Sequence, residues 1–268
     1  MAKEVPLTGL AKGLITVSMA TLIGVAGVVP SAHAGEADAK RLLKAMSDYM
    51  AAQKAISFNY DTILEYVTTD GQKLALASSG SVTRMGSDKL RVTRTGGFAD
   101  IEILFDGKTL TLLGRTENLY AQIEAPGTVD RPIDTLRVKH GRPLPGADLL
   151  QSNVYDNLMS GVIDVKDLGS GVINGIECDH LAFRTPDLDW QIWIAQGATP
   201  FPCRYVITTK TVAMAPQYAV TLRDWRVGAA VGAQEFNFKN TTGAKQIDLA
   251  ALPSLDELPN VLAVGGKK

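Results

Sequence analysis

The first hydrophobic run along the chain is continuous rather than periodic. Leu14–Val29 carries no charge, follows Lys3 and Lys12, and stops at Pro30 before Ala32-His33-Ala34. A basic head, a short apolar body and small residues spaced as A-x-A form the pattern of a secretory signal peptide. The run is shorter than the ~20 residues that span a bilayer, and Gly24 and Gly27 interrupt it. Cleavage is therefore expected after Ala34, removing residues 1–34 and leaving an exported chain without an integral membrane span. No cysteine lies near that site, so a bacterial lipoprotein anchor is not expected.

Periodicity begins after the run. In Ala37–Ala52, Leu42, Leu43, Met46, Tyr49 and Met50 recur at helical spacing with charges between them, which predicts an amphipathic helix. From Ser57 the period becomes two. Phe58–Thr69 leads through Asp70-Gly71 into Gln72–Arg84. Lys89–Thr95 leads through Gly96-Gly97 into Phe98–Phe105, and Asp106-Gly107 into Lys108–Leu113, with Asn118–Glu124 following. Asp-Gly between β-type runs signals a hairpin, since both central residues must accept positive φ. A long antiparallel meander is predicted. Thr128–Tyr155 interrupts it. Asp130 can cap a helix with Pro132 in its first turn, Ile133 and Leu136 on one face and Gly141 at its end. Ala147–Met159 holds one or two further short helices. Strand patterning resumes in Val162–Leu168, Gly175–Arg184, Asp189–Ala195, Arg204–Thr211, Gln217–Arg226 and Phe236–Lys239. No Pro- or Gly-rich linker divides the chain, so residues 35–249 are expected to form one domain, with 250–268 a loose tail.

Several of these strands are apolar on both faces. Phe58, Tyr60, Leu64 and Tyr66 share one face of the first strand, Ile63 and Val67 the other. A two-residue Asp70-Gly71 turn would place Tyr66 opposite Ala75 and Leu64 opposite Ala77. The same rule at Asp106-Gly107 gathers Ile101, Ile103, Phe105, Leu110 and Leu112 on one face. Trp190 and Ile192 face one way in their strand and Trp193 the other. A sheet with one wet face should alternate instead. Two apolar faces need two covers: helices for one, and for the other a sheet curling on itself. The fold class expected is mainly β with helical cover (α+β), an antiparallel, half-open β-barrel. Its interior could be an apolar cavity or a filled core. If it is a cavity, Phe58, Tyr60, Leu64, Tyr66, Trp190, Ile192 and Trp193 are the candidate ligand-binding residues.

Composition mostly excludes. The chain has 268 residues, with 27 Lys and Arg against 28 Asp and Glu, so no basic excess exists to neutralise nucleic-acid phosphates. Three histidines and two cysteines leave little material for a metal site, and none is expected. No phosphate-binding loop, nucleophile elbow or zinc-protease motif is present, and Gly169-Ser170-Gly171 is expected to join two strands, which is not a dinucleotide fingerprint. Asp179 and His180 point to opposite faces of a strand, so they make no dyad. Cys178 and His180 share a face and could pair as nucleophile and base, but a buried thiol beside a hydrogen-bonded imidazole is the simpler reading. His140 suits a helix end. No catalytic residue, enzyme activity or cofactor is expected. Cys178 and Cys203 could form a disulfide, although a simple meander would set an intervening strand between them, at ~9–10 Å against the ~7 Å Cα limit.

The stretches Cys178–Arg184, Asp189–Ile194 and Arg204–Thr208, with Leu119-Tyr120-Ala121, Phe105-Asp106-Gly107 and Pro216-Gln217-Tyr218, resemble a family of predicted periplasmic proteins, the domain-of-unknown-function family numbered two thousand and ninety-two. The element order also looks like the periplasmic lipoprotein-carrier (LolA/LolB-like) fold, an unclosed barrel with helices over its mouth. The resemblance implies a periplasmic location. It leaves two functions open: binding of a hydrophobic or amphipathic ligand, such as a lipid or lipid-modified protein, and a non-catalytic envelope sensor or protein-interaction module of the same fold.

Overall fold

The computed structural model describes residues 33–97, 100–232 and 234–252. The expected signal peptide lies outside them apart from His33 and Ala34, which open the first helix. Most of the expected tail also lies outside. Leu249 and Leu252 are both buried, so the packed domain extends to Leu252 rather than ending at residue 249.

Helix α1 (His33–Ala52) leads into β1 (Ala55–Val67), β2 (Lys73–Met85), β3 (Lys89–Gly96), β4 (Asp100–Phe105), β5 (Thr109–Gly114) and β6 (Leu119–Glu124). A helical insert follows, with α2 (Asp130–Asp134), a wider turn over Thr135–Lys139, a 3-10 turn at Ala147–Leu150 and α3 (Val154–Met159). The chain returns through β7 (Asp164–Ile173), β8 (Ile176–Arg184), β9 (Leu188–Ala195), β10 (Pro202–Thr209) and β11 (Gln217–Val227), and ends with the short β12 (Lys245–Gln246). All twelve strands form one sheet in the order β12-β6-β5-β4-β3-β2-β1-β11-β10-β9-β8-β7. Pairing is antiparallel except between β12 and β6. Strand β11 returns to pair with β1, which joins the two meanders. The edges β12 and β7 do not meet, so the barrel stays open.

Loop length sets which residues face inward. Between β1 and β2 the loop is Thr68–Gln72, closed by Thr68 N donating to Gln72 O at 2.9 Å and Gln72 N donating to the Thr68 hydroxyl at 2.9 Å. Tyr66 therefore pairs with Leu74 and Leu64 with Leu76, not with Ala75 and Ala77. A one-residue change of register turns the whole partner strand over. At Asp106-Gly107 the carboxylate of Asp106 accepts from Lys108 N and Thr109 N, widening the turn so that Phe105 pairs with Leu110 and Ile103 with Leu112. That change is even, and the expected face survives. Between β7 and β8 the turn is Asn174-Gly175, both at positive φ, and Gly169-Ser170-Gly171 lies inside β7 at a bulge rather than between strands. Asn-Gly is itself a hairpin signal in the sequence.

One apolar face runs across the sheet and has two halves. Over β7–β10, Val165, Leu181, Phe183, Trp190, Ile192 and Tyr205 are buried. Phe183 stacks on Trp190 at 3.9 Å, and Tyr205 meets Trp190 edge-on. Helix α1 packs this half with the stripe Ala39, Leu43, Met46 and Met50. No basic residue occupies the last turn of α1. Arg84 of β2 takes that role, donating to Met50 O at 2.9 Å and Gln53 O at 3.2 Å. Over β1–β5 and β11 the inner face is not filled by a helix.

The outer face corrects two expectations. Its cover over β4–β5 is not the sheet curling back but the segment 234–242, which lies over Leu104 and Leu113. There Glu102 is buried between Arg91 at 2.7 Å and Arg115 at 2.6 Å. Phe236–Lys239 is no strand: Asn237 and Lys239 fold back onto Glu235, and Phe238 packs on Tyr120. Asn237 N also donates to the Glu235 carboxylate at 3.2 Å, a local side-chain-to-backbone bond that competes with strand pairing.

Candidate ligand cavity

Beneath the unfilled half lies a cavity of about 470 Å³. Its walls come from β1 (Phe58, Tyr60, Leu64), β2 (Val82), β3 (Leu90, Val92, Arg94), β4 (Ile101, Ile103), β5 (Leu110, Leu112) and β11 (Tyr218, Val220, Leu222). On a flat sheet β5 and β11 would stand about 24 Å apart, at ~4.8 Å per strand. Both line one cavity, so the sheet is curled. Periodicity explains the lining: Val92 pairs with Val82 and Ile103, and Ile103 with Leu112, so successive cross-strand partners point inward together.

The roof is the insert, from Pro132 through Leu150. Asp130 does not cap α2 as expected. It sits in the first turn and receives Ser152 N and Ser152 Oγ, each at 2.8 Å, and Thr128 Oγ1 at 2.9 Å. Burial raises the Asp130 carboxyl, but these hydrogen bonds outweigh it and hold it below the ordinary carboxylate value. Its contribution is thus complete above the unfolded-state value near 4 and fades only as pH falls through the lower folded value. Arg137 makes the second tie, to Asp148 Oδ1 at 2.8 Å and Leu144 O at 2.9 Å. Between Gly141 and Gly146, both at positive φ, Pro143 and Pro145 restrict the loop that closes the roof.

The candidate residues separate in three dimensions. Phe58, Tyr60 and Leu64 line the cavity. Tyr66 lies further along β1, half-buried and away from the lining. Trp190 and Ile192 belong to the half filled by α1. Trp193 is on the outer face, its ring stacked on His180 at 4.0 Å with the Arg204 guanidinium 5.9 Å away. Val92, Ile103 and Leu112 line the cavity and were not candidates; the shared face of Ile103 and Leu112 was their signal. Arg94, His140 and Arg142 also line it. No sequence motif marks them, because their convergence depends on the insert folding over β3.

The thiols are buried on the outer face. Cys178 and Cys203 are free and share one cluster with Ala195. The middle strand does separate them, with Cys178 opposite Ala195 on β9. A bulge between Pro202 and Arg204 sits beside that small residue; the Cys178 thiol donates to Ile176 O at 3.4 Å and the Cys203 thiol to Phe201 O at 3.9 Å. Burial pushes both thiols up. Cys178 makes no pair with His180, whose Nε2 meets Gln191 Oε1 at 2.9 Å. Titration with a thiol reagent near pH 8 should find neither thiol reactive in the folded protein and both reactive after unfolding without reductant. A denatured chain with no free thiol would contradict the free-thiol geometry. Among the described residues no three His, Cys, Asp or Glu side chains converge as a metal site requires.

A family model described as a predicted periplasmic protein (DUF2092) matches residues 39–250. The chain belongs to the DUF2092 family. That places it in the periplasm, and among the described residues no helix is long and apolar enough to cross a membrane. No curated protein sequence matches. Similar solved structures include the lipoprotein LppX of Mycobacterium tuberculosis (15% identity, TM-score 0.37, 71% of this chain and 96% of that one). LprF of Mycobacterium bovis is similar at 14% identity and TM-score 0.44, over 71% of this chain and 94% of that one. The LolA superfamily protein NE2245 of Nitrosomonas europaea gives 11% identity and TM-score 0.34, over 71% and 93%. In this DUF2092 chain the matched region contains every strand of the curled sheet and the whole roof of the cavity.

Proposed function

We propose that this periplasmic protein binds a hydrophobic or amphipathic molecule, a lipid or the acyl portion of a lipid-modified protein, in the cavity between the curled sheet and its roof. The observation that carries the reading is the cavity itself. Its volume lies within the ~300–1,000 Å³ of small-molecule sites, and most of its lining is apolar. About a dozen methylenes sequestered at ~0.8 kcal/mol each give ~10 kcal/mol before ordering costs, so binding is favourable only where water is excluded. The roof, with its apolar Pro132, Ile133, Leu136 and Leu149, provides that exclusion. The protein works here as a binding protein rather than an enzyme.

The test uses protein released from the periplasm without detergent. Native mass spectrometry and solvent extraction should recover a bound amphiphile, and the delipidated protein should bind a fluorescent fatty acid saturably. A bare mass together with no saturable probe binding would overturn the proposal.

A further inference from the structure

The volume of the cavity limits what it can hold. An apolar cavity of about 150 Å³ takes one benzene ring, roughly six carbons. On that scale about 470 Å³ has room for roughly nineteen carbons. The space is also elongated. Its walls run across the neighbouring strands β5-β4-β3-β2-β1-β11, a shape that suits an extended chain better than a fused ring system. Neither end of that row offers more room. Beyond β11 the inner face carries Tyr205 and Trp190, both buried in the half that α1 fills. Beyond β5, Ala121 of β6, the partner of Leu112, is fully buried. The roof is fixed at both ends. Val129 N donates to Ser87 O at 2.8 Å between β2 and β3, and Tyr155 N donates to Ser47 Oγ of α1 at 3.1 Å. The Asp130–Ser152 and Arg137–Asp148 bonds brace the insert between those ends. Raising the roof to enlarge the cavity would break such bonds, so the fold itself sets the volume.

We infer that the cavity takes one acyl chain of about sixteen to eighteen carbons and has no place for a second, so that its ligand is a single-chain amphiphile. The inference rests on the binding function proposed above and narrows its ligand class. The remaining room lies at the mouth, where the lining reaches the exposed His140 and a head group would begin. A lipid with two such chains needs about twice the space. Its second chain would stay in water, and each methylene left there forgoes the gain that drives binding. Methylenes added to a chain that already fills the cavity gain nothing for the same reason. Affinity therefore rises with chain length and stops rising at a length that the volume fixes.

The test is displacement of the bound fluorescent fatty acid by saturated lysophosphatidylcholines with even-numbered chains from decanoyl to docosanoyl. The head group is the same throughout, and each ligand is kept below its micelle concentration. The expected result is a gain in affinity of about three- to fourfold per added methylene up to roughly sixteen to eighteen carbons, then a constant value. A plateau that begins anywhere from the myristoyl to the icosanoyl member supports the limit. A plateau already reached at lauroyl, or none up to docosanoyl, would overturn it. Native mass spectrometry should show one palmitoyl ligand per protein at saturation, and two copies would contradict the inference. Vesicles of dipalmitoylphosphatidylcholine should leave the protein unloaded, and recovery of that lipid bound to it would count equally against the single chain. Val92→Phe brings about four more carbons into the cavity and should move the plateau to a chain shorter by about that number. An unmoved plateau in the folded variant would show that the chain does not lie there, and the wild-type series decides the limit without the variant. A series that rises to its end overturns the inference alone and leaves the apolar binding function standing. Absence of binding by the probe and by every member of the series would instead remove the binding function on which it rests.

Discussion

Val92→Trp combined with Ile103→Trp should abolish binding of an apolar probe while the protein remains folded. The two residues are cross-strand partners on β3 and β4, both line the cavity, and both are only half-buried. Each new indole would extend into open cavity, so the strain of overpacking a filled core is small here. Ligand contact would be lost in proportion to the volume taken. Excluding about six methylenes at ~0.8 kcal/mol each removes ~5 kcal/mol, so a decrease in affinity of ~100-fold or more is expected. Fluorescence titration measures it, and circular dichroism reports the fold. Val172→Trp, at an exposed site on the β7–β8 hairpin, is the control and should bind as wild type. An unchanged affinity in the double variant would place the ligand elsewhere.

Gly80→Ala should be the most damaging single methyl group in the sheet. A Cβ at Gly80 would lie 1.9 Å from Thr93 O and 2.6 Å from the ring and hydroxyl of Tyr60. Tyr60 crosses over this glycine from β1 and donates its hydroxyl to Thr93 O at 2.9 Å. The oxygen belongs to the backbone of β3, held by the pairing of β3 with β2 and β4, so it cannot swing aside as a side chain would. The expected cost is about 3 kcal/mol or more, read from urea unfolding. A second variant locates the cause. If the Tyr60 ring were the obstacle, Gly80→Ala combined with Tyr60→Ala would regain stability beyond the loss from Tyr60→Ala alone. With the Thr93 oxygen as the obstacle it would not. Stability within about 0.5 kcal/mol of wild type for Gly80→Ala would contradict the close approach.

Much of the architecture was legible from local pattern. The amphipathic spacing of Leu42 through Met50 announced α1, and period two with Asp-Gly turns announced the meander. The break at Thr128–Tyr155 correctly marked the insert that becomes the roof. These signals are short-ranged: helix spacing, strand alternation and turn chemistry each act within a few residues. The β1–β2 register was not legible, because the Thr68 hydroxyl closes a loop longer than Asp70-Gly71 requires, and an odd change of length turns β2 over. Phe236–Lys239 misled for a similar reason. Its alternating pattern fits a strand, yet Asn237 and Lys239 bond to Glu235 within the same segment.

The candidate site was legible only in part. Phe58, Tyr60 and Leu64 were found because one strand displays them at a period of two, and alternation also set Trp193 opposite to Trp190 and Ile192. Which inward residues meet a cavity depends on what packs above them. Helix α1 fills the sheet over Trp190 and Ile192, whereas the insert spans the sheet above Phe58 and leaves space. The sequence by itself determined most of the elements, the inward face of β1 and of the β4–β5 hairpin, and the family, since these follow from residue spacing and local turn chemistry. Only the tertiary structure decided where the sheet curls, which half of its face stays open and which cations reach the opening. Those depend on contacts between segments far apart in the chain, and local pattern does not encode them.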